Sequence, residues 1–115
     1  ARLAGTDGRE TARAWISENI PQGSLIALES FSSFVDPEAY EVTGFLRIID
    51  RTPNWYVSND FQYLVFGEGM YGIFYREPDR YPERVASYET FFHTFRHVKT
   101  FDDGGYEVLI YQVVP

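Results

Sequence analysis

The sequence predicts a small α/β sandwich with a mixed, partly parallel sheet, helices packed on it and a C-terminal β-hairpin. Three observations predict it. Short apolar runs that suit strands alternate with segments of helical periodicity, so some strands must pair in parallel. The helical segments carry their own start and stop residues. Near the end, Asp102-Asp103-Gly104-Gly105 separates two strand-like runs, a strong hairpin signal.

Taken in order, residues 1–5 read as a weak leader or linker. Asp7 can cap a helix, and Glu10 three residues later completes a capping-box-like spacing. Ala12, Trp15, Ile16 and Ile20 fall on one helical face, while Arg9, Arg13, Ser17 and Glu18 look outward. Residues 8–19 are therefore a helix, stopped by Pro21 and Gly23. Residues 24–30, SLIALES, suit a strand buried on both faces. A loop follows, with a turn at Asp36-Pro37. Tyr40, Val42 and Thr43 favour a strand within 40–49, whereas FLRII reads as either strand or helix. Thr52-Pro53 reads as an N-cap and a first-turn proline, which gives a single helical turn over 53–57.

Asn59-Asp60 turns the chain into FQYLVFG, a second buried strand. Residues 68–79 read as a loop, punctuated by Gly69, Gly72 and Pro78. Pro82 then opens the main helix. Its Val85, Tyr88, Phe92 and Phe95 recur at spacings of 3, 4 and 3, with Phe91 widening the stripe and Phe92 at its middle. Strands over 97–101 and 106–114 form the hairpin. At 115 residues this is one domain with a single core of moderate size.

Composition removes several function classes. A hydrophobic fraction of 44% with 18% aromatics is too apolar for disorder. Ten basic against 17 acidic residues give a net charge of −7, which repels phosphate backbones and argues against a nucleic-acid partner. The absence of cysteine excludes a disulfide framework, a thiolate nucleophile and a Cys-based zinc site. No run approaches the roughly 20 apolar residues of a membrane span. With Ala1 first and Met70 the single methionine, the chain is expected to be a processed product or part of something longer.

Candidate chemistry is sparse, and no catalytic residue, metal site or cofactor is expected. His93 and His97 are four apart, a spacing that can pair metal ligands on a helix, but no third ligand suggests itself. Gly67-x-Gly69-x-x-Gly72 has the spacing of a dinucleotide-binding turn. Its final glycine should open a helix to hold a pyrophosphate, and the sequence there reads as loop. Glu29, with Asp60 or Glu68, could converge at one sheet edge, though solvated loop carboxylates are the plainer expectation. Ser30, Ser32 and Ser33 lack a nucleophile-elbow motif. The aromatics Tyr71, Phe74, Tyr75 and Tyr81 remain as binding candidates, because the sequence places them in a loop. They either cover a groove or membrane interface, or fold down as a lid over one sheet edge.

The residues also carry a resemblance. Asp7 opening a helix, the pair Trp15-Ile16, the turn Pro21-Gln22-Gly23 and the strand Ser24 to Glu29 form its first block. The second is an Asp-introduced strand, Asp60 to Phe66, followed by a Tyr-rich loop, Glu77-Pro78-Asp79-Arg80-Tyr81-Pro82 and an aromatic hairpin ending in Ile110-Tyr111. This order resembles the segment after the last membrane span of polyprenyl-phosphate-sugar-dependent membrane glycosyltransferases, relatives of dolichyl-phosphate-mannose protein mannosyltransferases. The pattern departs at Gly67-Glu68-Gly69, where small hydroxyl residues are common in that family.

The resemblance implies a non-catalytic domain on the extracellular or periplasmic side of the cell membrane. Its partners would be its own membrane-embedded transferase domain and a glycan or protein acceptor. The family's catalytic carboxylate lies in the membrane part, so no catalytic residue carries over to this chain. The alternative from a different class is a freestanding extracytoplasmic sugar- or peptide-binding module that uses the loop aromatics.

Overall fold

The computed structural model describes residues 8–102 and 106–115. The element order is α1 (Gly8–Asn19), β1 (Leu25–Glu29), β2 (Glu41–Phe45), a 3-10 turn (Ile48–Asp50), α2 (Pro53–Ser58), β3 (Tyr63–Gly67), α3 (Glu68–Tyr75), α4 (Pro82–Thr94), β4 (Arg96–Phe101) and β5 (Val108–Gln112). The expected leader, the Asp7 cap and most of the hairpin turn lie outside the described residues.

The five strands form one mixed sheet in the order β2-β1-β3-β5-β4. β1 pairs in parallel with both β2 and β3, whereas β5 runs antiparallel to β3 and β4. The α/β class, the mixed sheet and the C-terminal hairpin are thus as the sequence predicts. A register irregularity between His97 and Lys99 interrupts the β4–β5 ladder.

Alternation along the strands builds two cores. Ile26, Val65, Val108 and Ile110 face α1, where they pack with Ala12, Ile16 and Ile20. Ala27, Leu64, Phe66 and Tyr111 face the opposite layer and pack with residues of α2, α3 and α4. Side chains on a strand point alternately to its two faces, so one apolar run serves both layers. The carboxyl end of α1 is fastened by Tyr40, whose hydroxyl lies 2.9 Å from the Ile16 carbonyl and 2.7 Å from that of Ile20. Thr52 caps α2 as its sequence predicts, accepting from the Trp55 N–H at 3.2 Å.

Two expectations are corrected. Residues 68–75 are not loop but helix α3, which follows β3 without an intervening residue. Gly69 and Gly72 lower intrinsic helix propensity, but packing outweighs that cost. Met70, Tyr71 and Phe74 are buried along one side of the helix. The second correction concerns the centre of the α4 stripe. Tyr88 and Phe91 are its fully buried members, while Phe92 is half-buried and stacks on Tyr111 with ring centroids 5.0 Å apart. Phe95 stays in the core but lies just past the helix end.

Candidate functional site

The topology nominates one end of the sheet. β1 is flanked by β2 on one side and β3 on the other, so the chain leaves its carboxyl end in one direction and leaves β3 in the other. Ligand crevices of open α/β sheets form at such a reversal. The residues found there are Glu29, closing β1, and Gly67, closing β3.

Glu29 is buried to 2% exposure, contrary to the expected solvated carboxylate. Its Oε1 accepts from the Gly67 N–H at 3.2 Å, and its Oε2 accepts from the Ile48 N–H at 3.1 Å and the Tyr88 hydroxyl at 2.8 Å. Burial pushes its carboxyl up to about 7, because desolvation outweighs the three donors that favour the ionised form. Asp50 pushes in the same direction. The same burial, together with the charge of Glu29, holds the Tyr88 hydroxyl well above the usual phenol range.

Asp60 and Glu68 do not join Glu29 as a catalytic pair. Asp60 lies before β3, at the far end of that strand, in a left-handed conformation with φ 64°. Glu68 instead clasps Glu107: its Oε1 accepts from the Glu107 N–H at 2.7 Å, and its own N–H donates to the Glu107 carbonyl at 2.9 Å. Of the glycine triplet, Gly67 caps α3 while Gly69 and Gly72 lie within it, and the space and amides at the start of this helix are taken. A Cβ on Gly67 would stand 2.4 Å from the Phe31 carbonyl oxygen, and one on Gly69 would stand 2.5 Å from the Phe31 Cβ. The Glu29 carboxylate takes the Gly67 amide and the Glu107 backbone carbonyl takes that of Glu68, so a pyrophosphate would find these two donors already occupied.

The four aromatic candidates gather around α3. Tyr71 and Phe74 are buried, and Tyr75 and Tyr81 are half-buried. The Tyr71 hydroxyl donates to the Glu107 carboxylate, and burial followed by that bond raises it far above the usual phenol range. Tyr75 donates to Glu89 at 2.6 Å. Phe74 meets Tyr81 edge-on at 5.1 Å, and the guanidinium of Arg84 lies 5.0 Å from the Phe74 ring centroid. The spacing of Tyr71, Phe74 and Tyr75 is helical, and that signal could have placed them on α3.

His93 and His97 are separated by the end of α4, with His97 in β4. Among the described residues, no three His, Asp or Glu side chains converge as a metal-ligand set. Ser32 is buried, and its hydroxyl donates to the Glu29 carbonyl. Among the described residues, no helix is long and apolar enough to cross a membrane.

Sequence reasoning missed the apolar rim of this same end. Phe31 is 56% exposed, Phe34 62% and Leu46 57%, all in the segments that leave β1 and β2. Phe31 holds φ 61°, a conformation that non-glycine residues adopt rarely. A shallow cleft of about 450 Å³ between the two strand ends is lined by Glu29, Ser30, Ser33, Phe45 and Leu46. No protein-family model matches the chain, and neither a curated protein nor a solved structure shows significant similarity to it.

Proposed function

We propose that this chain is a non-catalytic extracytoplasmic domain of a polyprenyl-phosphate-sugar-dependent membrane glycosyltransferase, assisting acceptor access, positioning or assembly. The observation that carries the reading is the ordered set Trp15-Ile16, Pro21-Gln22-Gly23, Asp60 to Phe66, Glu77 to Pro82 and the terminal hairpin. Two features of the fold support it. Both Glu29 oxygens are committed to internal donors, so no carboxylate pair is poised for acid and base work at that end. The rim of Phe31, Phe34 and Leu46, with the Arg13 guanidinium over the Phe34 ring, offers apolar surface by which an attached domain can rest against a membrane-embedded partner.

The full reading frame tests the proposal. Several apolar spans ahead of Ala1 would support it, whereas a signal peptide alone would overturn it in favour of a freestanding binding module. In a full-length protein, Phe31→Ser with Phe34→Ser is expected to lower sugar transfer from a polyprenyl-phosphate sugar while leaving expression and membrane insertion unchanged. Normal transfer by that variant would reject a contact role for the rim.

A further inference from the structure

Glu29 combines three properties that an ordinary structural carboxylate does not. It is buried, it joins separate parts of the fold, and it has no counter-ion among the described residues. Its donors come from the 3-10 turn (Ile48), the β3–α3 junction (Gly67) and α4 (Tyr88), while the residue itself ends β1. No ion pair reaches it among the described residues. The nearby arginine of the turn, Arg47, is bonded to Asp50 at 3.1 Å. We propose that Glu29 and Tyr88 form a proton-operated latch that ties the Ile48–Asp50 turn and α4 to the carboxyl ends of β1 and β3.

The hydrogen-bond chemistry supplies two states. An ionised Glu29 accepts from all three donors but remains a desolvated charge. A protonated Glu29 can turn the bond with Tyr88 around, because a phenol both donates and accepts. Its Oε2–H then donates to the Tyr88 oxygen and the phenol hydrogen turns away from the carboxyl, at the cost of that hydrogen's bond, while the two backbone amides keep their acceptors. Either form fits the same backbone, and the proton decides how readily the cluster opens to water.

The surroundings favour the protonated form. From the turn, Asp50 repels an ionised Glu29, and Arg47 acts beside it on Tyr88. From α2, Tyr56 faces the cluster and donates to the Ile48 carbonyl at 2.6 Å, with Arg51 preceding that helix. From α3, Tyr71 and Glu68 add an uncharged phenol and a further carboxylate. Desolvation raises Glu29 and the three donors, which favour the ionised form, limit the rise, so the proton exchanges near neutral pH. Opening hydrates the carboxylate and restores its ordinary acidity. Opening is therefore easier at high pH than at low pH.

Four measurements on the intact chain test the latch. Carbon-13 NMR of the Glu29 carboxyl should show a midpoint near 7, and a midpoint below about 5 would overturn the proposal. Hydrogen exchange at the Ile48 amide, corrected for the intrinsic pH dependence of exchange, should show opening rising by up to roughly two orders of magnitude between about pH 5 and about pH 8. A flat corrected opening constant also overturns it. Tyr88→Phe removes a donor to the carboxylate and should move the Glu29 midpoint upward. An unmoved midpoint would remove Tyr88 from the latch. Glu29→Gln should abolish the pH dependence of opening at Ile48. If that variant does not fold, the wild-type titration and the Tyr88→Phe shift decide the matter.

Discussion

The carbonyl oxygen of Phe31 lies where a side chain on Gly67 would begin, 2.4 Å from the position of its Cβ. Gly67 itself has φ −121°, which any residue can adopt, so space and not backbone freedom requires glycine there. Gly67→Ala must push the Phe31 segment away from the β3–α3 junction. Chemical denaturation should show a loss of about 1–3 kcal/mol, the usual cost of overfilling a packed site. A loss within about 0.5 kcal/mol would mean that this segment moves aside freely.

Phe91 and Phe92 are neighbours in α4 with different burial. Phe91 is 2% exposed and meets Tyr56 and Phe66, whereas Phe92 is half-buried against Tyr111. Phe91→Ala should cost about 3–5 kcal/mol and Phe92→Ala clearly less. Equal losses in parallel denaturation curves would contradict the helix phase described above.

Two tyrosine–carboxylate bonds provide a matched comparison. Tyr71 reaches Glu107 from a buried position on α3, while the bond from Tyr75 to Glu89 is exposed. Tyr71→Phe should cost about 1–2 kcal/mol, since it strips a partner from a partly buried carboxylate. Tyr75→Phe should change stability by less than about 0.5 kcal/mol. A larger effect from Tyr75 would show that water does not replace its bond.

Stability should fall as pH rises across neutrality. Folded Glu29 sits at about 7 against 4.5 for the ordinary group, so the folded chain keeps its proton longer. The stabilisation is fully present below about 4.5 and is lost as pH rises through about 7. The upper limit of the loss is roughly 3 kcal/mol between about pH 5 and about pH 8. The net charge of −7 acts in the same direction, so Glu29→Gln is the control that isolates this residue. Wild type and a folded Glu29→Gln variant with the same pH dependence of unfolding would rule Glu29 out as the cause.

Local sequence was enough wherever an element carried its own punctuation. Pro21 with Gly23, Thr52-Pro53 and Pro82 mark helix ends that the fold retains, because capping and proline restrictions act within a few residues. The uncertain stretch 40–49 resolves into β2 and a 3-10 turn, since Glu41 to Phe45 can pair with β1 whereas Ile48 bonds to Glu29. Helix α3 was misread because its two glycines suggest a loop. The place of Gly69 depends on Phe31, more than thirty residues away in sequence.

The α/β class, the mixed sheet and the hairpin were legible in the sequence alone, all consequences of periodicity and turn chemistry. Tertiary structure alone decided that β1 lies between β2 and β3, and thus that Glu29 meets Gly67, Ile48 and Tyr88. It also decided that Tyr71 and Phe74 are buried while Phe31 and Phe34 face outward. Periodicity is a property of neighbours along the chain. Burial and protonation depend on groups brought together from distant positions, and no local pattern records which groups those are.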